Sequence, residues 1–298
     1  MILYILYRIG VTLALFLPLK VSYLLASTIA DIFYYTHKKD RAAVIGNMKI
    51  IVGNSAGDKE LEVKAKEVFR NFAKYLVDFF RFTLIDEQYI KRHIKIEGLE
   101  NIDKALRRGK GAVVLSAHLG NWELGGLVLS LFRQPIVAVV LKHQNKRIND
   151  FFTRRRSIGN LKPVEIGISL RECYKALREN GLLAILGDRD FSNKGFVVEF
   201  FGKPTQVPKG PAVFSYRMGS CIVPTFMVRM EDDTFKFMFE PPIVPNTNED
   251  EEAEVKKLIK EYSRVIEAYV RKYPSQWYMF KNVWNNNHEK HLRPDTII

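Results

Sequence analysis

The stretch Ala112-Val-Val-Leu-Ser-Ala-His-Leu-Gly-Asn-Trp-Glu-Leu124 joins a short apolar run to a group of polar residues. The run Ala112–Leu115 carries no charge, which is typical of a strand buried on both faces of a sheet. Gly120 and Asn121 favour a turn, and the residues from Trp122 onward favour a helix. The stretch therefore predicts a strand, a turn and a helix, with His118 at the carboxyl end of the strand.

The same alternation of apolar runs and helix-like stretches continues after residue 93. It predicts an α/β fold in which helices flank a central, mostly parallel sheet. The other predicted strands are Ile136–Leu141, Leu182–Leu186, Val197–Phe201, Ile222–Val228 and Phe235–Phe239. The predicted helices are Asp58–Ile90, Trp122–Phe132, Asn149–Ser157, Leu170–Asn180, Pro211–Met218 and Asn248–Tyr273.

The N-terminal segment Met1–Thr36 is strongly apolar. Its charge-free pieces, Ile9–Leu17 and Val21–Ala30, are each shorter than the roughly 20 residues that span a bilayer. A signal peptide needs small residues at a cleavage site after its apolar core, but apolar residues continue beyond Ala26-Ser-Thr28. We therefore expect an uncleaved, helical, membrane-associating segment.

Two forms of this segment stay open, a marginal span near residues 9–30 and an interfacial helix, with a buried helical hairpin of a soluble domain as the alternative. Lys38, Lys39 and Arg41 follow it and favour a cytoplasmic location for the rest of the chain. We expect residues 1–92 to form the N-terminal membrane-anchor and helical region, and residues 93–298 the α/β catalytic domain.

The composition narrows the class of protein. With 298 residues, 47% hydrophobic and 12% aromatic, the chain is too apolar to be disordered. A net charge of +13 favours acidic partners such as anionic lipid, phosphorylated substrates, acidic carrier proteins or nucleic acid. The aromatic residues lie mostly in apolar runs, which argues against nucleic acid. Cys173 and Cys221 lack a CxxC spacing, so we expect two buried thiols in a reducing compartment.

His118 and Glu123 are the candidate catalytic residues. Their spacing does not place both on one face of a regular helix, so the turn at Gly120-Asn121 must bring them together. A carboxylate bound to one imidazole nitrogen fixes the tautomer and raises the basicity of the other nitrogen. The pair predicts a general base, and a structural histidine is the alternative.

No activated protein nucleophile accompanies this pair, because the chain has no GxSxG motif and neither cysteine has a histidine nearby in sequence. Ser116 lies two residues before His118 and, by strand alternation, points to the same side. We expect Ser116 to line the pocket. The remaining chemistry is activation of a substrate hydroxyl against an activated acyl group, without an acyl-enzyme.

A second cluster, Gly187-Asp-Arg-Asp190, follows the predicted strand Leu182–Leu186. Arg189 between the two carboxylates argues against a metal site, and we expect none. Asp188 is expected to organise the site. Basic clusters near this face suit phosphate groups or a solvated, membrane-facing surface; they are Arg107, Arg108 and Lys110, then Lys142, Lys146 and Arg147, then Arg154, Arg155 and Arg156.

These motifs resemble a known family. SAHLGNWELGG at 116–126 resembles the first signature of the lysophospholipid acyltransferase superfamily, in the version of the late acyltransferases of lipid A biosynthesis. Residues 187–227 are similar to the second conserved stretch, with Phe200-Phe-Gly202 and Gly219-Ser-Cys-Ile-Val-Pro224 as particularly good matches. Arg41 with Asn47-Met48 resembles the N-terminal signature, and Pro274-Ser-Gln-Trp277 the terminal one. The likeness covers nearly the whole chain in order.

The resemblance implies an inner-membrane enzyme, with its catalytic domain on the cytoplasmic face. Such an enzyme moves a fatty acyl group from acyl carrier protein, or alternatively from acyl-CoA, onto a hydroxyl of a lipid A precursor, without a cofactor. By position, it implies His118 as the base, Glu123 as its partner, and Asp188 with an arginine among 154–156, for which we choose Arg155. Ser116, Asn121 and Arg189 complete the expected substrate-binding set.

The expected partners are acidic acyl carrier protein, anionic membrane lipid and a phosphorylated glycolipid acceptor. The ending Phe280-Lys-Asn-Val-Trp284 lacks the histidine and paired arginines common in the terminal motif, which leaves the acceptor open. A lysophospholipid, another glycolipid or an aminolipid is the alternative acceptor. A non-enzymatic lipid-binding membrane protein is the alternative class. The sequence predicts neither acyl-chain length nor oligomeric state.

Overall fold

The computed structural model describes residues 2–53, 56–132, 136–165, 170–190 and 195–284. Within them the chain forms a seven-stranded sheet of order β1-β9-β8-β2-β5-β3-β4 and a separate two-stranded hairpin, β6-β7. The strands are β1 Ile94–Glu97, β2 Ala112–Ser116, β3 Ile136–Val140, β4 Leu161–Glu165, β5 Leu182–Leu186, β6 Phe196–Phe200, β7 Lys203–Val207, β8 Cys221–Arg229 and β9 Phe235–Phe239. The helices are α1 Ile2–Phe16, α2 Leu19–Thr36, α3 Lys38–Val52, α4 Asp58–Phe80, α5 Glu87–His93, α6 Glu100–Leu106, α7 Trp122–Phe132, α8 Lys146–Arg156, α9 Leu170–Arg178, α10 Gly210–Met218 and α11 Glu251–Lys272, with 3₁₀ turns at Phe82–Leu84 and Pro274–Gln276.

The central sheet is mostly parallel, as predicted. β8, β2, β5, β3 and β4 run in one direction, while β9 pairs with β8 in the antiparallel sense and β1 follows β9. β2 lies between β5 and β8, although β3 follows it in the chain. This change of strand order opens a crevice at the carboxyl ends of β2 and β5, where open α/β sheets bind their ligands.

Both faces of the sheet are covered by helices. Along β2, Ala112 and Val114 belong to one apolar core with α6, α7 and α8, whereas Val113 and Leu115 belong to a second core with α9, α10 and α11. Successive side chains of a strand point to opposite faces, so an uninterrupted apolar run is what a doubly covered strand requires. The predicted fold class of helices flanking a mostly parallel sheet is confirmed.

Two predictions about strands need correction. Val197–Phe201 was expected as a buried strand of the α/β core. The strand is present as β6, with Val198 and Phe200 buried, but among the described strands it pairs with β7 instead of the central sheet, and Val197 is 62% exposed. The short strands β1 and β4 lie at the two edges of the sheet and were not predicted. β4 contains Pro163, and a strand proline is tolerated at an edge because it removes one ladder donor.

Five of the six predicted helices are present with small differences at their ends, and the sixth, Asp58–Ile90, is divided. Pro211 lies in the first turn of α10 and Gly219 ends that helix at φ +65°, a left-handed conformation that glycine adopts without strain. The segment predicted as one helix over Asp58–Ile90 is divided, because α4 ends at Phe80 and α5 begins at Glu87 with Asp86 as its N-cap. The Asp86 side chain accepts from the Tyr89 amide, which stabilises the separate start of α5.

The N-terminal segment is helical and leaves a large apolar face exposed. α2 packs against α4, and Tyr7 and Val11 of α1 enter the core of the sheet. Leu6, Ile9, Phe16, Leu24 and Ile32 are between 50% and 84% exposed. Within the residues that the structure describes, no helix is long and apolar enough to cross a membrane. The division at residue 92 and the membrane association of residues 1–36 stay predictions.

Candidate active site

His118 lies in the loop that leaves β2. The loop is held by the last described segment of the chain, because the Tyr278 amide donates to the His118 carbonyl oxygen at 2.8 Å. Leu119 and Trp277 also form an isolated antiparallel bridge. The histidine backbone is therefore fixed by residues far away in sequence.

Gly120 and Asn121 turn the chain from this loop into α7. Gly120 has φ +64°, and a Cβ atom at this position would collide with the Met227 carbonyl oxygen. The Asn121 amide donates to that same oxygen at 2.7 Å. The Asn121 side-chain oxygen accepts from the Leu124 amide at 3.0 Å, so Asn121 caps α7. The predicted turn is present, and it sets the direction of the helix that carries Glu123.

Asp188 reaches His118 because β5 lies directly beside β2. Ser116 pairs with Leu186, and the Gly187 amide donates to the Ser116 carbonyl oxygen at 2.8 Å. Asp188 Oδ1 then lies 2.9 Å from Nδ1 of His118. The His118 backbone amide donates to Oδ2 of the same carboxylate, also at 2.9 Å. The aspartate therefore fixes both the backbone and the ring of the histidine.

The environment keeps Asp188 ionised. Its side chain is fully buried, and burial alone would raise its pKa. The His118 imidazole and the hydrogen bonds from His118 and from the Trp277 indole outweigh burial and hold the pKa of Asp188 below its ordinary value. An ionised Asp188 accepts the proton on Nδ1, so Nε2 is the basic nitrogen of the ring.

The expectation that Glu123 orients His118 is therefore corrected. Asp188 is the carboxylate on Nδ1, and Glu123 engages a different residue. Nε and Nη2 of Arg156 donate to Oε1 of Glu123 at 2.8 and 2.7 Å, with the two side chains only 14% and 12% exposed. The partner of the imidazole depends on which strand lies beside β2. That strand is β5, and the spacing of His118 and Glu123 does not predict it.

The choice of Arg155 is corrected to Arg156. Arg156 lines the same cavity as His118 and Glu123, and its guanidinium lies over the ring of Phe152. Arg155 instead donates to the Phe80 carbonyl oxygen at 2.8 Å and lies over Phe151. Neighbouring positions on a helix are about 100° apart, so the last turn of α8 directs the two arginines to different surroundings.

Asn121 connects the loop of His118 to α4. It is 2% exposed, and its side-chain nitrogen, Nδ2, donates to Asp78 of α4 at 2.8 Å. Asp78 also accepts from Arg229 of β8 and from the Tyr23 hydroxyl of α2. We expected Asn121 to bind substrate, but both groups of its side chain are engaged by protein atoms. This buried network ties the N-terminal helices to the loop that carries His118.

A cavity of about 830 Å³ opens beside His118. Its polar wall includes His118, Glu123, Arg156 and the expected residues Ser116 and Arg189. Burial lowers the pKa of Arg189. One part of the cavity passes between α7 and the sheet and is apolar; this part is lined by Val114, Gly125, Gly126, Leu129, Ile136, Ala138, Leu161, Ala184, Met227 and Phe237. The site thus joins a histidine base to a space of the size and polarity that a hydrocarbon chain needs.

Sequence reasoning missed two participants. Trp277 was part of a quoted motif but had no role, and its indole nitrogen donates to Asp188 Oδ2 at 2.9 Å. The ion pair between Asp78 and Arg229 was not expected at all. Asp78 lies within the aromatic stripe of α4, and a charge at a buried helix position needs a partner. This position was the available sequence signal for the ion pair.

Comparison with known proteins decides the family. The family model described as bacterial lipid A biosynthesis acyltransferase matches residues 1–286. The chain belongs to this family. It is an O-acyltransferase, as the sequence motifs imply, and the resemblance derived from those motifs is confirmed.

Relatives of the chain include proteins with two kinds of acceptor in their names. The chain is 28% identical over 218 residues to a lipid A biosynthesis palmitoleoyltransferase of Escherichia coli (strain K12), covering 71% of each chain. It is 27% identical over 220 residues to a phosphatidylinositol mannoside acyltransferase of Mycobacterium tuberculosis (strain ATCC 25618 / H37Rv), covering 72% of this chain and 68% of the relative. A lipid A biosynthesis acyltransferase of Haemophilus influenzae is 21% identical over 223 residues, with 74% and 68% covered.

Proposed function

We propose that this acyltransferase moves a fatty acyl group from acyl carrier protein onto a hydroxyl of a lipid A precursor. The observation that carries the proposal is the His118–Asp188 pair beside a largely apolar cavity of about 830 Å³, which His118 lines. The pair supplies a general base, and the apolar part of the cavity suits a hydrocarbon chain better than a polar group.

The proposed reaction needs no covalent enzyme intermediate. Nε2 of His118 takes the proton of the acceptor hydroxyl, and the hydroxyl oxygen attacks the thioester carbonyl carbon. The carbon–sulfur bond breaks as the ester forms, and the leaving thiolate takes the proton back from the imidazolium. Asp188 stabilises the imidazolium between these two steps, because it is ionised and bonded to Nδ1.

Arg156 is the proposed cation of the site. Glu123 holds its guanidinium in one orientation on the cavity wall through two hydrogen bonds. A fixed cation in a water-poor cavity stabilises negative charge that develops on the thioester oxygen. In this account Glu123 positions Arg156, and Ser116 and Arg189 contact the substrates from the same wall.

The choice of partners follows from charge. The net charge of +13 favours an acidic carrier protein as donor and an anionic, phosphorylated glycolipid as acceptor. The exposed apolar residues of α1 and α2 favour a position on the cytoplasmic face of the inner membrane, with these helices in the lipid interface. No cofactor enters the proposed reaction, and acyl-CoA is the alternative donor.

A phosphatidylinositol mannoside is the second candidate acceptor. The Mycobacterium tuberculosis relative named for that acceptor is 27% identical to this chain, and the palmitoleoyltransferase is 28% identical. Both acceptors are anionic glycolipids with free hydroxyls, so the same base and cavity serve either of them.

The test supplies both acceptors to the detergent-purified protein, together with acyl carrier protein that carries an isotope-labelled acyl chain. The ester products are identified by mass spectrometry. We expect labelled acyl chains on the lipid A precursor. Transfer to the mannoside alone would support the second candidate. Failure to acylate either acceptor, with acyl-CoA also tried as donor, would contradict the proposal.

A further inference from the structure

The side of Asp188 that faces away from the imidazole is held by Trp277. The indole Nε1–H donates to Oδ2 at 2.9 Å, and Trp277 is only 2% exposed. Oδ2 also accepts the His118 backbone amide, while Oδ1 bonds the His118 ring. The carboxylate is thus held at both oxygens by groups that the fold fixes.

Trp277 itself has little freedom to move. It follows the 3₁₀ turn Pro274–Gln276 and forms a bridge with Leu119 in the loop that carries His118. The preceding residue, Gln276, exchanges two hydrogen bonds with the backbone of Arg229, at 2.9 and 2.7 Å. The Gly120 amide donates to the Gln276 carbonyl oxygen at 2.9 Å. The indole is consequently fixed relative to the catalytic loop.

We propose that Trp277 is a positioning residue for acyl transfer, which orients the Asp188 carboxylate toward Nδ1 of His118 and keeps it ionised. This inference rests on the proposed function of the His118–Asp188 pair. A buried carboxylate with one donor removed turns more freely and is stabilised less as an anion. Trp277 contacts no substrate in this account and acts only through Asp188.

The choice of variant depends on the groups that surround Asp188. His118 faces it from the β2 loop, Trp277 from the segment after the 3₁₀ turn Pro274–Gln276, and Arg189 is its neighbour, with a pKa influenced by Asp188. Replacing Trp277 removes one hydrogen-bond donor to Asp188 and changes no charge. The variant Trp277→Phe keeps an aromatic ring and removes the indole N–H.

The experiment compares the wild type, Trp277→Phe and Trp284→Phe. Trp284 is the matched control, since its indole donates to the Phe200 carbonyl oxygen at 3.2 Å and its ring centroid lies 6.0 Å from that of Trp277. We expect Trp277→Phe to lower kcat about tenfold with little change in KM, as loss of a hydrogen bond to a charged group predicts. The pH below which the free energy of unfolding declines should also be about half a unit higher than in the wild type, because the pKa of Asp188 rises.

A merely structural role for Trp277 would lower the free energy of unfolding by one amount at every pH, and an unchanged pH dependence of stability in a folded Trp277→Phe would overturn the inference. If that variant does not fold, the indole N–H resonances of the three tryptophans in the wild type give the answer. They are assigned with Trp284→Phe and Trp122→Phe. The Trp277 signal should shift in the acidic range below about pH 3.9, where Asp188 takes up a proton, and a signal that stays constant there would contradict the proposal. A wild type without acyl transfer would instead refute the proposed function.

Discussion

Arg156 and Glu123 form an ion pair on the wall of the cavity, in which two guanidinium nitrogens donate to one carboxylate oxygen at 2.8 and 2.7 Å. The neighbouring Arg155 points elsewhere and donates to the Phe80 carbonyl oxygen. Two adjacent arginines of one helix therefore have separable functions, and this difference can be measured.

Arg156→Gln should lower kcat/KM for acyl transfer about 100-fold, because a fixed cation is lost from the site. The double variant Glu123→Gln/Arg156→Gln should recover most of the stability lost by leaving Glu123 unpaired, but it should not recover activity. Arg155→Gln is the matched control and should retain activity within about threefold, because Arg155 does not line the cavity. Equal losses in Arg155→Gln and Arg156→Gln would refute the separate functions.

Asp188 makes the stability of the protein depend on pH in the acid range. Its pKa in the folded state is below the ordinary value of about 3.9, so its stabilising contribution is present above that value and is lost as the pH falls through the folded pKa. Urea unfolding at several pH values should therefore give a free-energy difference between wild type and Asp188→Asn that shrinks below about pH 4. A difference that stays constant down to pH 2.5 would mean that the aspartate is not stabilised as an anion.

Gly126 of α7 limits the width of the apolar cavity. A Cβ atom there would lie 3.0 Å from Cδ1 of Leu161, which lines the same space. Gly126→Leu should lower kcat/KM for long acyl donors by at least tenfold relative to short ones, since each lost methylene contact is worth about 1–3 kcal/mol. Gly57→Ala is the control, because a Cβ at Gly57 meets no described atom within 4 Å. An unchanged chain-length profile in Gly126→Leu would place the acyl chain outside this cavity.

The exposed apolar face of α2 should bind a bilayer. Leu24 and Ile32 are 67% and 61% exposed and lie about two turns apart on the helix. Leu24→Glu/Ile32→Glu should reduce partitioning into vesicles with anionic lipid more than tenfold, because each buried side chain contributes about 1.5–3 kcal/mol. The thermal midpoint should change little. Val197→Glu on the β6–β7 hairpin, at a residue with 62% exposure, is the control. Equal partitioning of the two variants would rule out α2 as the membrane-binding face.

The local features of the site were predictable from the sequence. An apolar run followed by Gly120-Asn121 is enough to predict β2, the turn and α7, since strand burial and turn chemistry are local properties. The pairing of His118 with Asp188 was not predictable from spacing, because it depends on β5 lying beside β2 although β3 follows β2 in the chain. The hydrogen bond from Trp277 joins positions 89 residues apart and has the same non-local origin.

The choice between Arg155 and Arg156 failed for a related reason. Both residues lie in the last turn of α8, and only the packing of that helix decides which one faces the cavity. Phe151 and Phe152 lie one turn before Arg155 and Arg156 and are both buried, so the apolar periodicity of α8 does not separate the two arginines.

The most direct test of the central claim is acyl transfer by His118→Asn, measured with labelled acyl carrier protein and the lipid acceptor that the wild type uses. We predict a loss of at least about 1,000-fold in kcat, with an unchanged thermal midpoint and unchanged partitioning into vesicles, as removal of a general base requires. A folded, membrane-bound His118→Asn protein that keeps a tenth of the wild-type turnover would contradict base catalysis by His118.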